Sequence, residues 1–538
     1  MSGKYRSVYY RNCRSTYPSR FEYKGLQNIE MEMMNMYNGR EYLESLNDGR
    51  VVYLNGERVK DVTTHPAYRN AARSYARMYD ALHNPATRDI LTTTNEYGDR
   101  THKFFKTPTS AEDLLGARDA IAEWSKLSYG FMGRTPDYKA SFIGNLNAFG
   151  DYYEGFEDNA KAWYRKASKE LPFINHTVIN PQTDRSKPLH ENKDVFVRAV
   201  AERDDGIVVS GAKMVGTAAA LTHYNFVANF GTIGLGDDDL SHALIFFVPM
   251  NAPGVKMISR QSYELLAATN GTPYDYPLSS RFDENDAVIV LDNVFIPWED
   301  VLCYKNIKIA NNFLPESGFL NRFTFHGCTR LAVKLDFMTG LLLKATEAAG
   351  TKNFRGVQAQ IGEVVAIRNM FWGLSTAMAT DPDKGPNGLV IPNGFSSAAY
   401  RALAPASWVK VKNIFEQVVA GGLIQLPSSA NDFLNPEIKP YLDQYYRGTG
   451  INAEDRVKLL KMVWDTIGTE FGGRHELYEV NYAGNHENIK MEALFHTEAV
   501  GAADCYKAFV DTALNDYDLH GWTNDTWIYS TEKQSVTQ

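Results

Sequence analysis

Only four cysteines occur in the 538 residues, Cys13, Cys303, Cys328 and Cys505. They are scattered, with no C-x-x-C pair and no histidine at finger-like spacing, which argues against a disulfide framework or a structural zinc site and leaves buried, inert thiols as the expectation. No metal is expected. Long apolar runs are missing too: ALIFFVPM at 243–250 is far short of the roughly 20 residues that cross a bilayer, and MSGKYRSVYYRNCRSTYPSR has no signal-peptide core. A cytoplasmic chain with no membrane partner is expected. Positive charge is not in excess either. The formal net charge is −8 and the pI about 5.9, so a general phosphate-backbone binder is not indicated and nucleic acid is not expected as a partner. At 44% hydrophobic and 22% charged residues, the composition is that of a globular protein long enough for two or three domains.

Several motif classes are equally thin. GTGINA at 448–453 fits a loose dinucleotide pattern, but YLDQYYR before it is not a buried strand, so chance is the better explanation. HELYE at 475–479 lacks the second histidine of a zinc-protease helix. No G-x-S-x-G elbow and no phosphate-cradling P-loop are present, so metal hydrolase, serine hydrolase and P-loop NTPase all lose ground.

What the chain does have is a periodicity that changes twice. From about residue 40 to 155 it is helical: Ser110 with Asp113 makes a capping box, and Leu114, Ala117, Ile121 and Trp124 recur on one face. Between roughly 173 and 300 come short β-branched and aromatic runs, FINHTVIN, VFVRAV, GIVVSGAKMV, YNFVANF, ALIFFVPM and AVIVLDNVFI, which read as a compact β-domain. After about 310 long helical segments return, including CTRLAVKLDFMTGLLLKATEAAG, GVQAQIGEVVAIRNMFWGLSTAMA, SWVKVKNIFEQVVAGGLI and DRVKLLKMVWDTIGTEFGG, and predict a helical bundle. The expected division is 1–155, an N-terminal extension and helical domain; 156–306, the β-domain; and 307–538, the bundle and tail. The first forty residues are too irregular to place.

YGFMGRTPDYKASF at 129–142 puts a cation where a helix does not want one. Thr135 is a candidate N-cap and Pro136 suits the first helical position, so Arg134 sits at the positive end of the helix dipole. Together a guanidinium and free N–H donors suit a small anion. The structural alternative is an ion pair between Arg134 and Asp137 or another surface carboxylate. Tyr138 would project from the first turn, or simply pack on the helix face.

The blocks YGFMGRTPDYKA, FINHTVINPQTDR, GTAAALTHYN, GTPYDYPLSSRFDENDAVIVLDNVFIPWEDVL, FRGVQAQIGEVVAIRN and FGGRHELYEVNY closely resemble the large oxygenase component of the two-component 4-hydroxyphenylacetate 3-hydroxylase and phenol hydroxylase family, over about residues 40–525. The resemblance implies an α+β, acyl-CoA-dehydrogenase-like fold with an N-terminal helical domain, a middle β-domain and a C-terminal four-helix bundle that assembles homotetramers as a dimer of dimers. It implies reduced FAD delivered by a separate NAD(P)H-dependent flavin reductase, reaction with O2 through a flavin C4a-hydroperoxide, and ortho-hydroxylation of a phenol to a catechol. Arg134, Tyr138 and His176 match the catalytic positions, and the substrate-binding stretch is Arg134, Thr135, Pro136, Asp137 and Tyr138 with His176. Flavin contacts carry over to His176, Thr177 and Val178, to Gln182, Thr183, Asp184 and Arg185, to Thr217, and to Ala483, Gly484, Asn485 and His486.

These roles make chemical sense. A free phenol with a tyrosine-like pKa of about 10 is almost wholly protonated at neutral pH, yet its phenolate is the electron-rich form. A cation about 4 Å away at an effective dielectric of about 20 contributes roughly 4 kcal/mol, close to three pKa units before desolvation. His176 could accept or hydrogen-bond the phenolic proton while Tyr138 orients the oxygen. Each residue has a plainer reading: His176 as a satisfied core histidine, Thr217 as a turn cap, and PYDYPLSSRFDENDA as either a rigid turn network or a lid. A flavin-dependent dehydratase or dehydrogenase on the same fold is one rival, and the dehydratase would need cluster-binding cysteines, of which residues 90–170 have none. A non-catalytic scaffold is another, predicting no flavin binding. Phenol, 4-nitrophenol, a chlorophenol and 4-hydroxyphenylacetate share the hydroxyl, and the reading leans to simple phenols.

Overall fold

The computed structural model describes residues 36–523 apart from 185, 230–233 and 420. Cys13, and the first forty residues up to 35, therefore lie outside the described residues. The six runs singled out for their β-branched content are all strands. FINHTVIN holds β5 (Ile174–Thr177), VFVRAV starts β6 (Arg198–Arg203), and GIVVSGAKMV fills β7 (Gly206–Thr217). YNFVANF holds β8 (Tyr224–Val227), ALIFFVPM β9 (Leu244–Pro249), and AVIVLDNVFI β11 (Asp286–Pro297). With β10 (Val255–Ser259) and β12 (Val301–Tyr304) they build two sheets.

The larger sheet corrects the expectation of an all-helical start. Its order is β2-β1-β10-β11-β7-β6, and β1 (Val52–Leu54) and β2 (Glu57–Val59) come from the segment read as helical. The two strands are too short to show a period, but Asn55 and Gly56 between them both have positive φ, the Asn-Gly turn whose twist suits a tight hairpin. Strand β1 then runs parallel to β10, with Val52 opposite Met257. A second hairpin, β3 (Thr92–Thr94) with β4 (Arg100–His102), lies in the same segment. The four-stranded sheet has order β12-β9-β8-β5, with β5 parallel to β8 at its edge.

Helices precede and follow the strands along the chain. We label α1 (Gly39–Ser45), α2 (Arg69–His83), α3 (Ala111–Lys126), α4 (Glu157–Glu170), α5 (Phe319–Ala349), α6 (Arg355–Thr380), α7 (Gly394–Val419), α8 (Ala453–Ile467), α9 (Glu470–Asn481), α10 (His486–Ala499) and α11 (Ala502–Leu514). In α3, Leu114, Ala117, Ile121 and Trp124 are buried as their spacing predicts. The capping box there is half formed: Ser110 Oγ accepts from Asp113 N, whereas the Asp113 carboxylate takes Thr109 N and Lys106. DRVKLLKMVWDTIGTEFGG is two helices, not one. Gly468 is the C-cap of α8, at a position where a Cβ would meet the Trp464 ring at 2.4 Å, and Thr469 Oγ1 caps the start of α9 by accepting from Gly472 N. GTGINA is a tight turn leading into α8, preceded by the helix Lys439–Tyr445 rather than a strand. Cys303 and Cys328 are buried as expected; Cys505, on α11, is exposed and corrects the reading of all four as buried. Among the described residues no helix is long and apolar enough to cross a membrane.

Candidate functional site

The segment containing Arg134 is not the α-helix start that its sequence suggests. Pro136–Lys139 is one 3-10 turn followed by a single α-turn, Ala140–Ile143. Thr135 is extended but makes no capping bond; its hydroxyl donates to the Asp137 carboxylate at 2.5 Å. A turn this short has little dipole to offer an anion. The charge at the site is therefore the guanidinium itself.

Arg134 does not pair with Asp137 either. Asp137, fully buried, faces His326 on α5 at 3.3 Å, and although burial raises its pKa, His326, His102 and Thr135 outweigh that and hold it below the usual carboxylate range. The guanidinium turns the other way, into tyrosines. Arg134 Nη1 donates to Tyr478 Oη at 2.7 Å, and Arg134 Cζ lies 4.4, 5.3 and 5.0 Å from the ring centroids of Tyr138, Tyr478 and Tyr482. Such stacking favours a charge that has lost much of its water. Burial works against the cation, but Tyr138, Tyr478, Tyr482 and Glu284 more than offset it and keep the guanidinium pKa above its ordinary value. It stays charged at every working pH.

Tyr138 and His176 complete the group. Their rings stack at 5.4 Å between centroids and 23° between planes, and Tyr482 Oη, which donates to Phe323 O at 3.0 Å, lies 3.4 Å from Tyr138 Oη. His176, on edge strand β5, bonds through Nδ1 to Lys139 Nζ. Burial, then Lys139 and Arg134, push its pKa well below the ordinary histidine value, so the imidazole is neutral near pH 7. The structure thus brings Arg134, Tyr138 and His176 together. It turns the side chains of Thr135 and Asp137 away from them toward His326, while Pro136 is buried within the turn.

Sequence spacing gave no sign of the residues that hold this group. Glu284, from PYDYPLSSRFDENDA, accepts from Arg134 N at 2.6 Å and from Tyr75 Oη at 3.2 Å, and Arg474 lies 3.5 Å from its other oxygen. Asp286 in turn binds Arg474, Arg260 and the hydroxyl of Thr217. That block is a carboxylate network, which favours the turn-network alternative left open by the sequence. Tyr478 and Tyr482, one helical turn apart, are admitted by two glycines: a Cβ at Gly133 would sit 2.3 Å from Tyr478 Oη, and one at Gly327 2.5 Å from Tyr482 Cε1. Beneath them Glu479 binds Arg330 through both oxygens and Lys334 through one, all three fully buried.

The flavin positions fall into three places. His176, Thr177 and Val178 run beside the end of β7 that carries Thr217, joined by Met214 N donating to Ile179 O and by Lys213 Nζ reaching Asn180 Oδ1 and Ala228 O. Thr177 Oγ1 accepts from Asn225 Nδ2. Next to it the buried Asn175 Nδ2 and Asn225 Oδ1 have no partner, a donor and an acceptor of the kind that the polar edge of an isoalloxazine would complement. Gln182 and Thr183 are exposed on the following loop, Asp184 is folded back onto Ser186, and Arg185 lies outside the described residues. Ala483, Gly484, Asn485 and His486 form the turn between α9 and α10; Arg401 donates to Ala483 O, Asn485 caps α10, and His486 bonds Val480 O. Among the described residues no hydrogen bond joins this turn to β5 or β7.

Profiles for the N-terminal and C-terminal parts of 4-hydroxyphenylacetate 3-hydroxylase match residues 38–303 and 310–511. The chain is 53% identical over 493 residues to the oxygenase component of a 4-nitrophenol 2-monooxygenase from a Rhodococcus species, covering 91% of this chain and 94% of that one. It is 52% identical over 490 residues to the 4-hydroxyphenylacetate 3-monooxygenase oxygenase component of Pseudomonas aeruginosa, covering 90% and 94%. Among solved structures, the oxygenase component of 4-hydroxyphenylacetate 3-monooxygenase complexed with FAD and 4-hydroxyphenylacetate superposes with a TM-score of 0.82 at 30% identity, over 89% of this chain and 99% of that one. An archaeal 4-hydroxybutyryl-CoA dehydratase from N. maritimus shares the fold, with a TM-score of 0.76 at 22% identity over 85% and 91%. The fold class is acyl-CoA-dehydrogenase-like, mixed helix and sheet.

Proposed function

The chain belongs to the 4-hydroxyphenylacetate 3-hydroxylase family, and from that premise we propose that it is the oxygenase component of a two-component monooxygenase. It would hydroxylate a phenol ortho to its hydroxyl with O2 and reduced FAD, the FAD supplied by a separate NAD(P)H-dependent flavin reductase. The observation that carries this reading is the convergence of Arg134, Tyr138 and His176, three residues from two distant segments, on one dehydrated spot.

The residues divide the work. Arg134 lowers the cost of negative charge on the phenolic oxygen, and its stacking on three rings fixes where that charge sits. Tyr138 and the neutral His176 orient the same oxygen through hydrogen bonds. His176, Thr177, Val178 and Thr217 would hold the flavin ring, with the loop Gln182–Asp184 and the turn at 483–486 as further contacts. When bound, the reduced flavin supplies the activated oxygen that no side chain can provide. The test is turnover of para-substituted phenols with a flavin reductase and NADH, comparing catechol formed with hydrogen peroxide released. Catechol is expected. Peroxide alone with every phenol would reject the reading, and no binding of reduced FAD in an anaerobic titration would favour a scaffold.

A homotetramer fits the same reading. Helix α11 buries none of its residues, and Tyr506, Phe509 and Val510 are exposed along it, with Leu494 and Phe495 exposed on α10. An apolar surface of that extent usually meets another protein surface. Phe509→Glu is expected to shift the sedimenting species from tetramer toward smaller assemblies; a wild-type chain that sediments as a monomer would refute the assembly.

A further inference from the structure

Lys139 is a buried lysine with no carboxylate in ion-pair contact among the described residues. It is fully buried on the turn that carries Arg134 and Tyr138. It forms no ion pair among the described residues, and its one side-chain hydrogen bond there is to His176 Nδ1, with Nζ 4.7 Å from the Tyr138 ring centroid. A buried ammonium normally finds anionic or multiple oxygen partners, as Lys334 does with Glu479. Among the described residues the close contacts of Lys139 Nζ are a nitrogen and an aromatic ring, with the Glu284 carboxylate acting on it without a hydrogen bond.

The groups around the pair are Arg134 and Tyr138 on its own segment, Glu284 from the carboxylate block, His176 on β5, and Tyr482 at the end of α9 beside Tyr138. Phe319 closes the other side of the imidazole, 6.1 Å between ring centroids. Burial first, then Arg134, lowers the Lys139 pKa well below the ordinary lysine value, with Glu284 opposing. His176 is lowered as well. Two uncharged nitrogens in hydrogen-bond contact share one hydrogen, and either can be the donor.

We propose that Lys139 is the final acceptor of the phenolic proton and that His176 carries the proton to it. The proposal rests on the phenol-hydroxylating reading above. In the tautomer with Nδ1–H donated to Nζ, Nε2 keeps a free lone pair. The phenol O–H bond breaks as Nε2–H forms, and Nδ1–H breaks as Nζ–H forms. The products are a phenolate, an ammonium and an imidazole in its other tautomer. Charge is conserved within the site, and no electron moves. The arrangement resolves a difficulty of the three-residue site: Arg134 stabilises the phenolate but also makes its neighbour His176 a poor proton holder. A second base beyond the imidazole holds the proton that the imidazole cannot.

The test uses the full-length protein and 4-nitrophenol, whose ionised form is yellow. At a pH below the probe's own ionisation, wild-type protein is expected to turn the bound probe yellow with no proton released to weakly buffered solution. Lys139→Met and Lys139→Gln, the second of which keeps an N–H donor for Nδ1, are expected either to leave the probe colourless or to release a proton for each probe ionised. The pH midpoint of the colour then rises by about one to two units, and hydroxylation falls about a hundredfold. Release of one proton per bound probe by the wild type would overturn the proposal, because Lys139 would already be an ammonium. So would variants with wild-type colour and no release. If no form binds any phenol, the functional reading itself fails; if all bind and ionise it alike, only the Lys139 assignment fails.

Discussion

Arg134→Ala is expected to lose about three orders of magnitude in hydroxylation rate while O2 still consumes the reduced flavin as peroxide. The size follows from the interaction removed: roughly 4 kcal/mol between a guanidinium and a phenolate about 4 Å apart at an effective dielectric of about 20, each 1.4 kcal/mol being tenfold. Arg134→Lys is expected to recover only part of it, since an ammonium cannot lie flat against Tyr138, Tyr478 and Tyr482. Catechol and peroxide measured in the same reaction decide the matter. Tight coupling in Arg134→Ala would remove the guanidinium from the mechanism, and loss of flavin oxidation together with hydroxylation would point to a folding defect instead.

Glu479→Ala is expected to be the most damaging single change to stability. Among the described residues Glu479 is the one carboxylate that Arg330 and Lys334 both touch, at 2.7 and 2.9 Å, and its removal leaves two cations in a dry core, a change that typically costs about 3–5 kcal/mol. The same cluster sets an acid limit. Burial raises the carboxyl pKa, but Arg330 and Lys334 override it and bring it from 4.5 to about 2. Between those values the unfolded chain binds a proton that the folded chain does not. Stability from this group is therefore complete above pH 4.5 and is lost as pH falls toward about 2, about 3 kcal/mol in all. Thermal unfolding of wild type and Glu479→Ala across that range checks both points. A variant melting within a degree or two of wild type at neutral pH would contradict the assignment.

The parts of the fold that could be read in advance were those with a repeating local pattern. Short β-branched and aromatic runs bounded by turn residues marked six strands, and Leu114, Ala117, Ile121 and Trp124 marked a buried helix face. Strands β1 and β2 escaped because three residues cannot display a period; only Asn55–Gly56 announced the hairpin. The site divides the same way. Arg134, Tyr138 and His176 stood out through family resemblance, but Tyr478 bonds Arg134 across 344 positions, and nothing in a helix sequence says which face meets so remote a cation. Glu284 sat in a conspicuously acidic block whose purpose depended on where Arg134, Tyr75 and Arg474 lay. Lys139 carried no signal in the sequence, and its complete burial beside an imidazole is what sets it apart.

The missing side chains at positions 133 and 327 set a boundary for anyone wishing to re-engineer this enzyme for bulkier aromatics. A single methyl at either would drive a tyrosine off the guanidinium, so libraries that recruit these two codons would discard the anion-holding geometry before sampling any new selectivity.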